Sequence, residues 1–212
     1  MNTTLIDRLG AGDSSARLQM ALAAGTKADP DLLDALVARC AVEPDFFVRD
    51  MLTWALTRLP AAITVPRLVA ELRSPAPQAR SQALHTLSKV GDGTAWPAIT
   101  RSLLRDPDDE VARAAWRAAV VLAPDEEQEE LAVELVTQLG RGDRNVRLSL
   151  SRALVALGEA AEPALLSGEA SADPEVRAHA HATGTLLRDP EAGFDSAIED
   201  ARRIVALGPE KC

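Results

Sequence analysis

The chain has 212 residues, 47% apolar and 26% charged, with a formal net charge of −9. That is enough apolar material for a substantial core, and the charge opposes a dominant nucleic-acid role, since such binding rests on Lys and Arg neutralising phosphates. Aromatic residues make up only 3%, tyrosine is absent, and Ala and Leu abound, which favours closely packed helices over sheets. No 18-residue apolar run and no charged-then-apolar leader occurs, so the expectation is a cytoplasmic chain with neither a membrane span nor a secretory signal. Cys40 and Cys212 are too few and too far apart to frame the fold or hold zinc, and Cys40 reads as a small buried apolar side chain.

Taken along the chain, helical patterns fall at residues 3–9, 31–40, 62–72, 94–105, 127–139 and 160–166. Each is followed by a second helix, in "GDSSARLQMAL", "EPDFFVRDMLTWAL", "SPAPQARSQALHTL", "DPDDEVARAAWRAAVVL", "GDRNVRLSLSRALVALG" and "ADPEVRAHAHA". In these second helices a short residue stands three places before a Val or Ala: Asp13, Asp45, Ala76, Asp108, Asp143 and Asp173, spaced 30 to 35 residues apart. The five aspartates suit an N-cap, and Pro77 and Pro174 suit the first helical position, where a missing N–H costs nothing. Pro66, Pro97 and Pro163 precede the following Val or Ala by 13 or 14 residues, a second register agreeing with the first. The final stretch "GFDSAIEDARRIVALG" places Phe194, Ala197, Ile198, Ala201, Ile204 and Val205 at helical spacing, as a closing amphipathic helix would. "RDPEAG" before it is the one candidate joint.

These residues resemble the HEAT-repeat family in its HEAT-like, phycobilisome-lyase-type form, and "ADPEVRAHA" and "DPDDEVARAAWRAA" carry the likeness most closely. The resemblance implies an all-α fold: an α-α superhelix of about six helical hairpins (about 3–25, 30–59, 61–90, 93–122, 126–157 and 159–188) with a capping helix at 192–207, forming one solenoid domain over 1–212. First helices would lie on the convex side and second helices on the concave side. The family pattern also puts Arg after the Val or Ala, as at Arg17, Arg49, Arg80, Arg147 and Arg177, with Ala112 and then Arg113 in the fourth repeat. These arginines read as inter-repeat structure. The family's Asp–Arg ladder is incomplete, because its leading Asp survives only as Asp106.

With the motif Val or Ala as position zero, offsets 0, +4, +7 and +8 cluster on one helix side and are apolar, as a core requires. Offsets +2, +5, +6 and +9 then point toward the concave face. The expected binding residues are Asp50, Trp54, His85, Arg113, Trp116, Arg117, Arg152 and His181, with 54, 85, 117 and 152 in one row. Trp and Arg in register suit a partner-binding surface. His179 and His181, two apart, face different ways and are not expected to share a metal. The acidic run at 124–131 reads as a solvated helix start.

No Gly-rich phosphate loop, G-x-S-x-G or paired metal motif is present. The leading expectation is a non-catalytic scaffold, without cofactor or metal, holding a protein or peptide on the concave face. Two alternatives stand beside it. One is a small-molecule sensor or sequestering module, with a planar ligand between Trp54, Leu84 and Trp116. The other is a nucleic-acid binder of the HEAT-like DNA glycosylase type, echoed by Trp116 with Arg152 and opposed by the charge. The family's lyase activity has no residue here to identify it.

Overall fold

The computed structural model describes residues 9, 10, 12–189 and 193–207. The expected first helix apart from Leu9, Cys212, and Pro190 to Ala192 of the candidate joint lie outside the described residues. All regular structure among the described residues is helical, and no helix there is long and apolar enough to cross a membrane. The chain divides into two compact units, Met1–Leu122 and Ala123–Cys212. The sequence reading has one stack over 1–212; the division falls between its fourth and fifth repeats.

The first unit contains α1 (Ser14–Lys27), α2 (Leu33–Cys40), α3 (Phe46–Thr57), α4 (Ala61–Glu71), α5 (Pro77–Val90), α6 (Arg101–Leu104) and α7 (Asp109–Leu122). The second helices α1, α3, α5 and α7 pack each on the next, and the first helices α2, α4 and α6 pack against them. The second unit holds α8 (Gln128–Val136), α9 (Arg144–Ala156), α10 (Glu162–Glu169), α11 (Pro174–Arg188) and α12 (Phe194–Leu207). There α9 and α10 pack on α11, and α12 covers α11 through Ala197 and Ala201 set against Ala178 and Ala182.

The expected caps form. Asp13, Asp45, Asp108, Asp143 and Asp173 each accept from free backbone N–H groups at the start of their helices, such as Val48 on Asp45 at 3.1 Å and Val111 on Asp108 at 3.1 Å. Ala76 accepts none through its side chain, and Pro77 begins α5 in its place. The expected core offsets are buried throughout: Val48, Leu52, Ala55 and Leu56; Val111, Ala115, Ala118 and Ala119; Val146, Leu150, Ala153 and Leu154. One expected helix is different. Residues 94–105 fold as a 3-10 turn, Gly93–Ala98, then the single turn α6. Pro97 has no N–H for an interior helical bond, and Gly93 and Thr94 before it are poor helix formers, so the tighter turn wins.

The repeats are joined by arginines reaching both backward and forward. Arg49, Arg80 and Arg177 each donate from Nη1 to the carbonyls five and six residues earlier, fixing the turn that launches their own helix. Forward, Arg17 meets Glu43 at 2.8 Å, Arg80 meets Asp106 at 3.1 Å and Arg147 meets Glu175 at 2.7 Å. The incomplete ladder is thus fuller than the aspartates alone suggested, because Glu43 takes the place before Asp45 that Asp106 takes before Asp108.

Glu43 is fully buried. Its carboxylate accepts from Arg17, from Arg39 at 2.8 Å and from the Asp45 N–H at 2.9 Å, while its carbonyl accepts from Gln78 of the next repeat at 2.8 Å. Burial raises its pKa, but the bonds from Arg17, the Asp45 N–H and Arg39 outweigh it and hold the carboxyl at about 2. A depressed pKa stabilises the fold above the ordinary value of 4.5 and ceases to do so as the pH drops to about 2. Glu43→Gln strands two buried arginine contacts and is expected to cost about 3 kcal/mol in urea unfolding at pH 7. The same variant should show a shallower loss of stability between pH 4.5 and 2 than the parent chain.

In the second unit His179 is fully buried. Its Nδ1 accepts from the Gly140 N–H at 3.0 Å, which leaves the proton on Nε2, facing Ser151 Oγ at 3.0 Å and the Arg147 carbonyl at 3.1 Å. Thr183 Oγ1 donates to the His179 carbonyl at 2.8 Å, so Ser151 donates to Thr183 and accepts from His179. Every proton in this ring is committed. Desolvation, only partly offset by the Arg147 carbonyl, lowers the imidazole pKa to about 4. The neutral ring therefore stabilises the fold above the ordinary value of 6.5, and that contribution fades as the pH falls from 6.5 to 4. It amounts to on the order of 3 kcal/mol. The drop in urea midpoint between pH 7 and pH 5 should be smaller in His179→Gln than in the parent chain.

Candidate functional site

The exposed face of α3, α5 and α7 encloses a concavity of about 230 Å³, lined by Phe46, Arg49 and Asp50, by Ser81, Gln82 and His85, and by Glu110, Arg113, Ala114 and Arg117. Three successive helices contribute to it, and all three share the +2 position: Asp50, Ser81 and Arg113. Four expected residues, Asp50, His85, Arg113 and Arg117, are brought together here. Trp54 stands one turn beyond Asp50, 38% exposed. Its ring lies against Gly25 of α1, where an added Cβ would collide with it and come within 2.9 Å of Ala55 Cα.

Trp116 is a correction. It is fully buried, and its indole N–H donates to the Leu104 carbonyl at 2.9 Å. Leu84 is equally enclosed, so the expected planar-ligand pocket between Trp54, Leu84 and Trp116 is filled by the core. The aromatic on which the glycosylase echo rested meets no solvent. The physical reason is shared by the +5 positions of the second to fifth repeats: Thr53, Leu84, Trp116 and Ser151 are all buried, while His181 of the sixth is half-buried. That position faces the next second helix, as the Thr53–Thr86 hydroxyl pair at 3.4 Å and the Ser151–Thr183 pair at 2.7 Å show.

Arg152 and His181 belong to the second unit and line none of this concavity. Arg152 is exposed; His181 is half-buried with Nδ1 3.5 Å from Glu169 Oε1. The Ser151–His179 pair has the spacing of a nucleophile and its base, but both side chains are sealed from solvent and the serine proton is given to Thr183.

Within the concavity the cations outnumber the anions. Arg49 spends its guanidinium on the carbonyls of Glu43 and Pro44 and lies 6.0 Å from the Phe46 ring centre. Arg113 pairs with Glu110 at 2.5 Å, and its Nε is enclosed with no hydrogen-bond partner among the described residues. Among the described residues Arg117 donates from Nε alone, to the Arg113 carbonyl at 3.3 Å. Desolvation and then the like charge of Arg113 pull the Arg117 pKa below the ordinary arginine value, with Glu110 opposing. Burial, followed by Arg117 and Lys89, pushes His85 below the ordinary histidine value against the pull of Asp50, so it is neutral near pH 7.

Phe46, Arg49, Glu110 and Gln82 were missed by the offset reading, and Ser81, though at +2, was not singled out. Phe46 and Phe47 carried a signal: two of the chain's 3 phenylalanines stand together in the first turn of α3. They are 65% and 71% exposed and meet edge to face at 5.6 Å.

No family model matches the chain, and no curated protein matches it in sequence. Among solved structures it is similar to two engineered proteins of a structural genomics consortium. One is 22% identical over 93% of this chain and 96% of the other, with a TM-score of 0.48. The second is 22% identical over 93% of this chain and 60% of the other, at 0.46. It is also similar to the complex of CpcE and CpcF of phycocyanin lyase from Nostoc sp. PCC7120, at 20% identity over 96% of this chain and 94% of that one, with a TM-score of 0.37. At such scores these likenesses say nothing about a shared site.

The Gly25 notch makes a direct claim about Trp54. Alanine in a helix is ordinarily better than glycine by about 1 kcal/mol, but here the added methyl must displace an indole and a neighbouring backbone. Gly25→Ala should therefore destabilise the chain by about 1–2 kcal/mol net and shift the tryptophan fluorescence to the red as Trp54 lifts into water.

Proposed function

We propose that the first unit is a non-catalytic binding scaffold that holds a protein or peptide partner on the face built by α3, α5 and α7. The observation that carries this reading is the convergence of ten side chains from three successive helices on one solvent-open concavity, among them an Arg117 whose terminal amines have no acceptor within the described residues. Arginine and aromatic residues are the side chains that most often dominate partner binding. Here Arg113 and Arg117 share the concavity with the exposed Phe46. The surrounding core holds these residues on helices, which fixes their spacing better than loops would.

Affinity purification of the tagged chain from its native cell tests the reading. The double variant Phe46→Ser/Arg117→Gln should recover at least tenfold less of any protein that the parent chain enriches, at unchanged helical content by circular dichroism. Arg73→Gln, an exposed arginine away from the concavity, should recover as much as the parent. Undiminished capture by the double variant would remove this face from the function.

A further inference from the structure

We infer that the concavity on α3, α5 and α7 receives one side-chain carboxylate of a partner peptide, with an apolar neighbour of that residue resting on Phe46; the inference rests on the scaffold reading and specifies its ligand. Three features select this chemistry. The first is size. At about 230 Å³ the space falls below the roughly 300–1,000 Å³ of small-molecule and cofactor sites, yet it accommodates a single long side chain. The second is charge. Arg49, Arg113 and Arg117 stand against Asp50 and Glu110, with His85 neutral. The surplus is one positive charge, in a chain that is −9 as a whole. One carboxylate balances it, whereas a phosphate dianion or a run of phosphates exceeds it.

The third feature is the state of the two arginines. Arg113 and Arg117 lie one helical turn apart with like charges side by side, and the terminal amines of Arg117 face no acceptor within the described residues. Among the described residues Arg113 holds Glu110, whose side chain is 68% exposed, and its own Nε is unpartnered. A carboxylate accepting from both guanidiniums would relieve their repulsion and supply the charge-assisted bonds that Arg117 lacks. Asp50 and Glu110 then serve as acceptors for the peptide's backbone N–H groups. Phe46, 65% exposed and part of the lining, offers the apolar contact.

The test uses the full chain and follows the Arg Nε–H and His85 ring signals by NMR during titration with capped pentapeptides. In the first peptide a central glutamate is flanked by leucines; in the others glutamine or phosphoserine replaces it, and inorganic phosphate is titrated separately. The glutamate peptide should move the Arg113 and Arg117 signals, and the glutamine peptide should bind roughly tenfold more weakly. Arg117→Gln should erase that difference, and Arg73→Gln should keep it. Equal binding of glutamate and glutamine peptides at these signals overturns the carboxylate assignment and leaves the scaffold reading standing. Tighter binding of phosphoserine or inorganic phosphate overturns it in favour of a phosphoryl group. No movement with any peptide also overturns it, while the fate of the scaffold reading is decided separately by the purification experiment.

Discussion

A single helical hairpin cannot cover its own apolar stripe, so each repeat must borrow cover from its neighbours. For α3 and α5 this means packing on the first helices α2 and α4 beneath and on a second helix on either flank. Solvent reaches only the remaining strip. That strip carries Asp50 and His85, and Arg113 and Arg117 of α7 join them in one face. The site thus follows from the packing constraint, and its charged side chains collect where the core has no use for them.

The same constraint demands ties at the turns, where backbone groups would otherwise be left buried without partners. The repeated arginine provides them, since its planar fork can hold the carbonyls behind it and a carboxylate ahead. Glu43 gathers most of these ties, linking Arg17 of the first repeat, Arg39 of its own hairpin and Gln78 of the third. A carboxylate so enclosed is tolerable only because each oxygen is satisfied and two guanidiniums balance its charge.

Much of this was legible in the sequence. The Asp-before-Val register located the second helices and their caps, and the apolar offsets named the core, because both depend on local geometry that repeats every turn. The site was half legible. Asp50, His85, Arg113 and Arg117 were found by asking which offsets point away from the core. Trp116 was misplaced because a helical wheel with one buried and one open half has no place for the flank, and the +5 position is flank. Glu43 was overlooked because the ladder was sought as aspartate, although a glutamate at the same position reaches the same arginine. The break at Pro97 came from a proline that reads identically to Pro66, which α4 absorbs within its length.

The junctions between repeats are not chemically alike. Arg17–Glu43 and Arg80–Asp106 are ionic, but between α3 and α5 position 74 is a serine, and the Gln78 amide makes the crossing to the Cys40 and Glu43 carbonyls at 3.0 and 2.8 Å. An ion pair that spans the same repeats, Arg67–Asp34, is largely in water and correspondingly weak. Dissolved electrolyte screens attraction between exposed ions and leaves enclosed neutral amides almost untouched. One wall of the concavity is therefore hung on an uncharged joint, which added salt leaves in place while it loosens the exposed ion pairs around it.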